Sequence, residues 1–188
     1  MRDGVAVGLN KKLKAYLKHQ IYKYTEFDRV GERKVKKSIE VWHRGGWFNH
    51  YRAKLMWNRI RIKYDCNINP GVKVGKDLRI EHVSGIGIGK TAILGDNVRI
   101  YNDVMIGAKV TGDEERNKRK ERRHAKIGND VVLGMGCMII GPVTVGDDCI
   151  IGARAIVTHD VPPHSVVIGT NKIRPKREDE FAPSYRKD

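Results

Sequence analysis

Ile127-Gly128-Asn129-Asp130-Val131-Val132-Leu133-Gly134-Met135-Gly136-Cys137-Met138-Ile139-Ile140-Gly141-Pro142-Val143-Thr144-Val145-Gly146 repeats every six residues. An aliphatic side chain returns at Ile127, Leu133, Ile139 and Val145, and glycine follows three of the four. The same period continues downstream to Ile151 and Val157. Upstream it passes through Val74 and Ile80 and, after a slip of two residues, Ile88, Leu94, Ile100 and Ile106. Glycine follows eight of these twelve aliphatics. A further column, at the fifth position, is small or apolar from Leu78 and Ser84 through Val98, Val110 and Cys137 to Val161. A period of six fits neither an α-helix nor a two-residue alternation. It suits a short strand followed by a tight turn, with the aliphatic inward and the glycine permitting the corner's backbone. Three hexapeptides close one triangular coil. Coils then stack as parallel strands about 4.8 Å apart, each burying its aliphatics only against its neighbours. The expected fold is mainly β, a parallel β-helix of hexapeptide repeats with a short helical N-terminal segment.

These columns, over roughly residues 66–170, resemble the hexapeptide-repeat acyltransferases, whose coil is a left-handed parallel β-helix. The handedness is implied by that resemblance alone, and it runs against the usual right-handed crossover.

Charge divides the 188 residues. Residues 1–64 hold 17 Lys/Arg against 5 Asp/Glu, a net +12, whereas residues 65–188 hold only +3. Leu9, Leu13, Tyr16, Leu17 and Ile21 recur at helical spacing, as do Phe48, Tyr51, Leu55 and Ile62, with Gly45-Gly46 between the two sets. The expected organisation is a basic helical segment over 1–64, a β-helix domain over 65–171 and a polar tail over 172–188. The basic segment caps the open coil; its charge also suits peripheral contact with an anionic membrane or glycan. No nucleic-acid-binding module is visible, so no nucleic-acid partner is expected. The charged stretch between Ile106 and Ile127 cannot sit inside a coil and is expected to loop out over 108–125. Cys66, Cys137 and Cys149 match no disulfide or zinc spacing and read as reduced, buried thiols. With no signal peptide or membrane span in view, a cytoplasmic protein is the default.

Four ordered segments narrow the resemblance to the serine acetyltransferases. Glu81-His82-Val83-Ser84-Gly85-Ile86-Gly87-Ile88-Gly89 resembles that family's Asp-His-Ala-Thr-Gly-Ile-Val-Ile-Gly, and Arg123-His124-Ala125-Lys126-Ile127 its Arg-His-Pro-Lys-Ile. Ile68-Asn69-Pro70 resembles its Ile-His-Pro, and Asp160-Val161-Pro162-Pro163-His164 its Pro-Val-Pro-Pro-His. The resemblance implies transfer of acetyl from acetyl-CoA to a hydroxyl within a homotrimer, with L-serine as the acceptor and a sugar hydroxyl of a surface polysaccharide precursor as the alternative. It implies His82 as general base, Glu81 helping to hold the amino-acid substrate, Arg123 facing the substrate's carboxylate, and His124 in the same pocket from a neighbouring subunit. The family's aspartate that orients the base falls on Asn67, and Asp65, two residues earlier, is the other candidate for that task. Gly107, Ala108, Gly134, Gly152 and Ala153 are implied along the CoA arm, with Lys172 and Arg174 near its phosphates. A non-catalytic scaffold and a zinc-dependent hydratase are the rival classes. The hydratase needs three converging histidines, and only His82 and His124 are well placed, so no metal is expected.

Overall fold

A computed structural model describes residues 11–109, 122–169 and 172–175, and side chains for these except 11–25 and 172–174. Two helices come first: α1 over Lys11–His43 and α2 over Trp47–Tyr64. Gly45 and Gly46 turn the chain between them at φ 70 and 80, which a side chain would resist. The remainder is coil upon coil of very short strands.

The first face of the coil stacks β1 (Asn67–Ile68), β4 (Gly87–Ile88), β7 (Met105–Gly107), β10 (Met138–Ile140) and β13 (Ile156–Val157). The second stacks β2 (Lys73–Val74), β5 (Ile93–Leu94), β8 (Lys126–Ile127) and β11 (Thr144–Val145). The third stacks β3 (Arg79–Ile80), β6 (Arg99–Ile100), β9 (Val132–Leu133), β12 (Ile150–Ile151) and β14 (Ser165–Ile168). All pairings within these stacks are parallel. The architecture is the left-handed parallel β-helix. Of the twelve periodic aliphatics, Val74 alone is only partly buried; the others form one continuous core.

Three expectations change. The glycines after the aliphatics do not carry the left-handed backbone: none of Gly75, Gly89, Gly95, Gly107, Gly128, Gly134, Gly146 or Gly152 has positive φ. Two corners turn instead through single residues of positive φ, namely Asp65, Gly85, Asp103, Gly136 and Arg154 before the first face, and Asp77, Asn97, Asp130, Asp148 and His164 before the third. Asp and Asn tolerate that region best among residues with a Cβ. Most of the periodic glycines are needed for room, because a Cβ on Gly128, Gly134 or Gly146 meets the backbone of the next coil. Secondly, the slip in the repeat moves the fifth column from Ser84, which is exposed, to Ile86, which is buried. Thirdly, Lys172–Pro175 forms β15, an antiparallel partner of β14, where a polar tail was expected. Val110 and the middle of the 108–125 excursion lie outside the described residues, as do Leu9 and the side chains of Leu13, Tyr16, Leu17 and Ile21.

The helices sit on the first coil. Val35, Ile39, Ile60 and Tyr64 join the β-helix core. Gly31 passes so close to Val83 and Tyr64 that a Cβ there would lie 2.8 Å from Val83. Coil-end amide groups find acceptors on α1: Val83 N–H donates to Asp28 Oδ1 at 3.1 Å and Ile80 N–H to Glu32 Oε1 at 3.4 Å. Asp28 and Glu32 are one turn apart, so one helix side serves both. The stripe Phe48, Tyr51, Leu55 and Ile62 of α2 does not face this core; all four are exposed. Cys66, Cys137 and Cys149 are buried thiols in no disulfide, and burial pushes the Cys66 and Cys137 thiols up to about 12.

Candidate active site

His82 follows β3 at the corner leading to the first face. Its side chain is 54% exposed, open to an incoming molecule, whereas that of Asp28 on α1 is 13% exposed. His82 Nδ1 lies 3.1 Å from Asp28 Oδ2. A carboxylate accepts, so Nδ1 carries a proton toward Asp28, and in the neutral ring Nε2 is the nitrogen with the lone pair. The group on this nitrogen is thus Asp28, where Asp65 or Asn67 was expected. Asp65 is the left-handed C-cap of α2, exposed, and its carbonyl accepts Gly85 N–H at 2.9 Å. Asn67 is an exposed outward residue of β1. The carboxylate on His82 Nδ1 comes from a helix residue 54 positions away in sequence. No motif marks it; the one signal in the chain is the i, i+4 pair Asp28 and Glu32 in a segment with few acids.

Glu81 leans onto the next coil. Its Oε1 lies 3.3 Å from Arg99 Nε, and the Arg99 side chain is 6% exposed. The carboxylate expected to meet the substrate is therefore already paired with a buried guanidinium.

The second histidine stands at a different corner, between the first and second faces, where the chain returns from its excursion. Thr91 Oγ1 accepts the N–H groups of Arg123 at 3.0 Å and His124 at 3.2 Å. It lies 2.6 Å from His124 Nδ1. With two amides already donating to it, the hydroxyl directs its own proton to Nδ1. His124 Nε2 is then the protonated nitrogen, a donor where His82 Nε2 is an acceptor. The imidazole packs against Gly89, where any Cβ would collide with it. Arg122 ties the returning strand down through the carbonyls of His124, Val143 and Pro142, at 2.8, 3.1 and 2.7 Å.

The two histidines thus stand on opposite edges of the first face, and one chain does not bring them together. The residues nominated for CoA divide the same way. Gly107 and Ala108 end the first face at the His124 edge, and among the described residues no atom beyond the chain neighbours lies within 4 Å of where a Gly107 side chain would stand. Gly134, Gly152 and Ala153 lie at the His82 edge, higher in the stack. Lys172 and Arg174 are backbone members of β15, and their side chains lie outside the described residues. His164 of the fourth segment is structural here: it turns the last coil at φ 57, with Nδ1 3.0 Å from Asp148 Oδ2.

Residues 124–159 match the family model described as bacterial transferase hexapeptide (six repeats). The serine acetyltransferase of Helicobacter pylori is 39% identical over 121 residues, which cover 64% of this chain and 67% of that protein. The chain belongs to the serine acetyltransferase family. The Mycobacterium tuberculosis serine acetyltransferase is 35% identical over 130 residues, 69% of this chain and 52% of its own length. Among solved structures, the Neisseria gonorrhoeae serine acetyltransferase in complex with serine superposes with a TM-score of 0.65 at 28% identity, over 79% of this chain and 56% of that one. The chain therefore spans between about half and two thirds of these family members.

Proposed function

We propose that the chain is an O-acetyltransferase that moves the acetyl group of acetyl-CoA to the hydroxyl of L-serine, working as a homotrimer. The observation that carries this reading is the pairing of His82 Nδ1 with Asp28 on an exposed side chain, which leaves Nε2 as the proton acceptor. Serine is the acceptor of the relatives this chain resembles, which are serine acetyltransferases.

In this reading acceptor and acetyl-CoA are bound together. His82 Nε2 takes the hydroxyl proton as the oxygen attacks the thioester carbonyl. The imidazolium so formed is held by the Asp28 carboxylate. His124 Nε2–H donates toward the oxyanion that develops on the carbonyl. The intermediate collapses with loss of the C–S bond, and the proton passes from His82 to the departing sulfur. Products are the O-acetyl ester and CoA. Arg123, beside His124, holds the acceptor's carboxylate, and Glu81 meets its ammonium in competition with Arg99.

The two-edge arrangement supports a site between subunits. The first face carries Met105 and Met138, 43% and 44% exposed, and Ile156 outward between the edges. Covering that apolar ladder with a neighbouring coil stack brings one chain's His82 edge to another's His124 edge. The pantetheine arm of CoA then lies in the groove between stacks, where Gly107 has no Cβ and, among the described residues, no close neighbour to oppose its approach.

The test is CoA thiol release from acetyl-CoA with L-serine and with a panel of sugars, using His82→Ala as control. Turnover with serine that His82→Ala abolishes is the expected result. Turnover with a sugar alone moves the substrate and keeps the chemistry. No turnover and no acetyl-CoA binding ends the enzyme reading.

A further inference from the structure

Helix α2 is apolar on two opposite sides. Ala53, Ile60 and Tyr64 point inward and are buried. Trp47, Phe48, Tyr51, Leu55 and Ile62 point outward, 81%, 62%, 52%, 45% and 77% exposed. At 3.6 residues per turn these five fall within about 100° of arc, opposite the buried three. Exposed Arg52, Arg59 and Lys63 border that arc on one side, and exposed Lys54 and Arg61 on the other. The helix contains no acidic residue. Near its C-terminal end lies a hollow of ≈ 480 Å³, walled by Met56, Ile60, Ile62 and Tyr64, with Lys34, Arg59 and Lys63 also lining it.

We propose that this outward face of α2 docks on an anionic lipid bilayer, the helix lying in the interface plane. Charge selects the occupant. A second copy on the same face would set five cations against five, and like charges facing one another repel. A soluble polyanion would satisfy the cations and leave Leu55 and Ile62 in water. An anionic bilayer takes both sets: the aromatic and aliphatic side chains enter the headgroup–acyl boundary, and the flanking Lys and Arg reach lipid phosphates. No described helix is long and apolar enough to cross a membrane, in keeping with a helix that lies flat. Docking of this face does not depend on the acyl-transfer reading.

The experiment is flotation of the full chain with vesicles of 3:1 phosphatidylcholine and phosphatidylglycerol, against phosphatidylcholine alone, at low and high salt. Partition to the anionic vesicles is expected to exceed that to neutral ones by at least about tenfold and to fall with salt. Two double variants, Leu55→Ser with Ile62→Ser and Arg52→Gln with Arg59→Gln, change exposed residues only, and thermal melts check their folding. Each is expected to lower partition about tenfold and to leave transfer to soluble L-serine unchanged. Three results overturn the proposal. The first is no preference for anionic vesicles. The second is dextran sulfate binding as tightly as the vesicles, with the Ser variant unaffected. The third is a lower molar mass of the Ser variant by light scattering, which hands the face to a second copy.

Discussion

At His82 a single contact decides the tautomer. The Asp28 carboxylate 3.1 Å away fixes a proton on Nδ1, and Nε2 of this exposed side chain is the acceptor that remains. Asp28→Asn keeps the shape but presents an amide, which neither holds the imidazolium by charge nor enforces the tautomer. In a serine protease the comparable change at the histidine's carboxylate partner lowers kcat about 10⁴-fold. Here a fall of about 10²- to 10⁴-fold in kcat is expected, with KM for serine little changed. Steady-state kinetics over a pH series checks it. A larger loss from Asn67→Ala than from Asp28→Asn would return the orienting task to the strand. His82 and Glu81 stood out in the sequence because they sit in a motif. Asp28 did not, because its partner is 54 residues away and no local spacing encodes that meeting.

Among the elements, the corner between the first and second faces depends on Thr91. Its hydroxyl oxygen serves two amides and the His124 ring, so one side chain places the whole returning strand. Thr91→Val keeps the volume and strands those groups. A stability loss of about 1–3 kcal/mol is expected from the unsatisfied donors, together with a fall in kcat as His124 loses its tautomer. Chemical denaturation and kinetics measure the two, and wild-type kcat in the variant would leave His124 without the donor role. The corners also show how a correct pattern can carry a wrong reason. The glycine column was visible, yet most of those glycines make room for the next coil. The left-handed turns fall to Asp77, Asn97, Asp130 and Asp148, each three residues before an inward aliphatic. That column was present in the same stretch of sequence, and the tolerance of Asp and Asn for positive φ was the available signal.

For the whole molecule, the separation of His82 and His124 on two edges of one face has a quantitative consequence. If each site takes one histidine from each of two neighbouring chains, His82→Ala and His124→Ala trimers are both inactive alone. Unfolded together and refolded in equal amounts, random mixing restores about a quarter of wild-type activity. Recovery indistinguishable from zero, with mixed trimers present by mass, would place both histidines in one chain's pocket. The α2 face belongs to this scale too. Its spacing was legible as helical, but not the direction in which it points, because the helix carries apolar residues on both sides.

The sequence by itself determined the coil. A six-residue period of inward aliphatics is a local property, and stacking requires nothing beyond the next repeat. It also marked His82 and His124, whose neighbours in the chain form ordered motifs. The tertiary structure alone decided what those motifs meet. The folding of α1 onto the first coil brings Asp28 to His82, coil stacking draws Glu81 to Arg99, and the order of the three faces sends the histidines to opposite edges. Each is a contact between segments distant in sequence or a consequence of the path around the coil, and periodicity specifies neither.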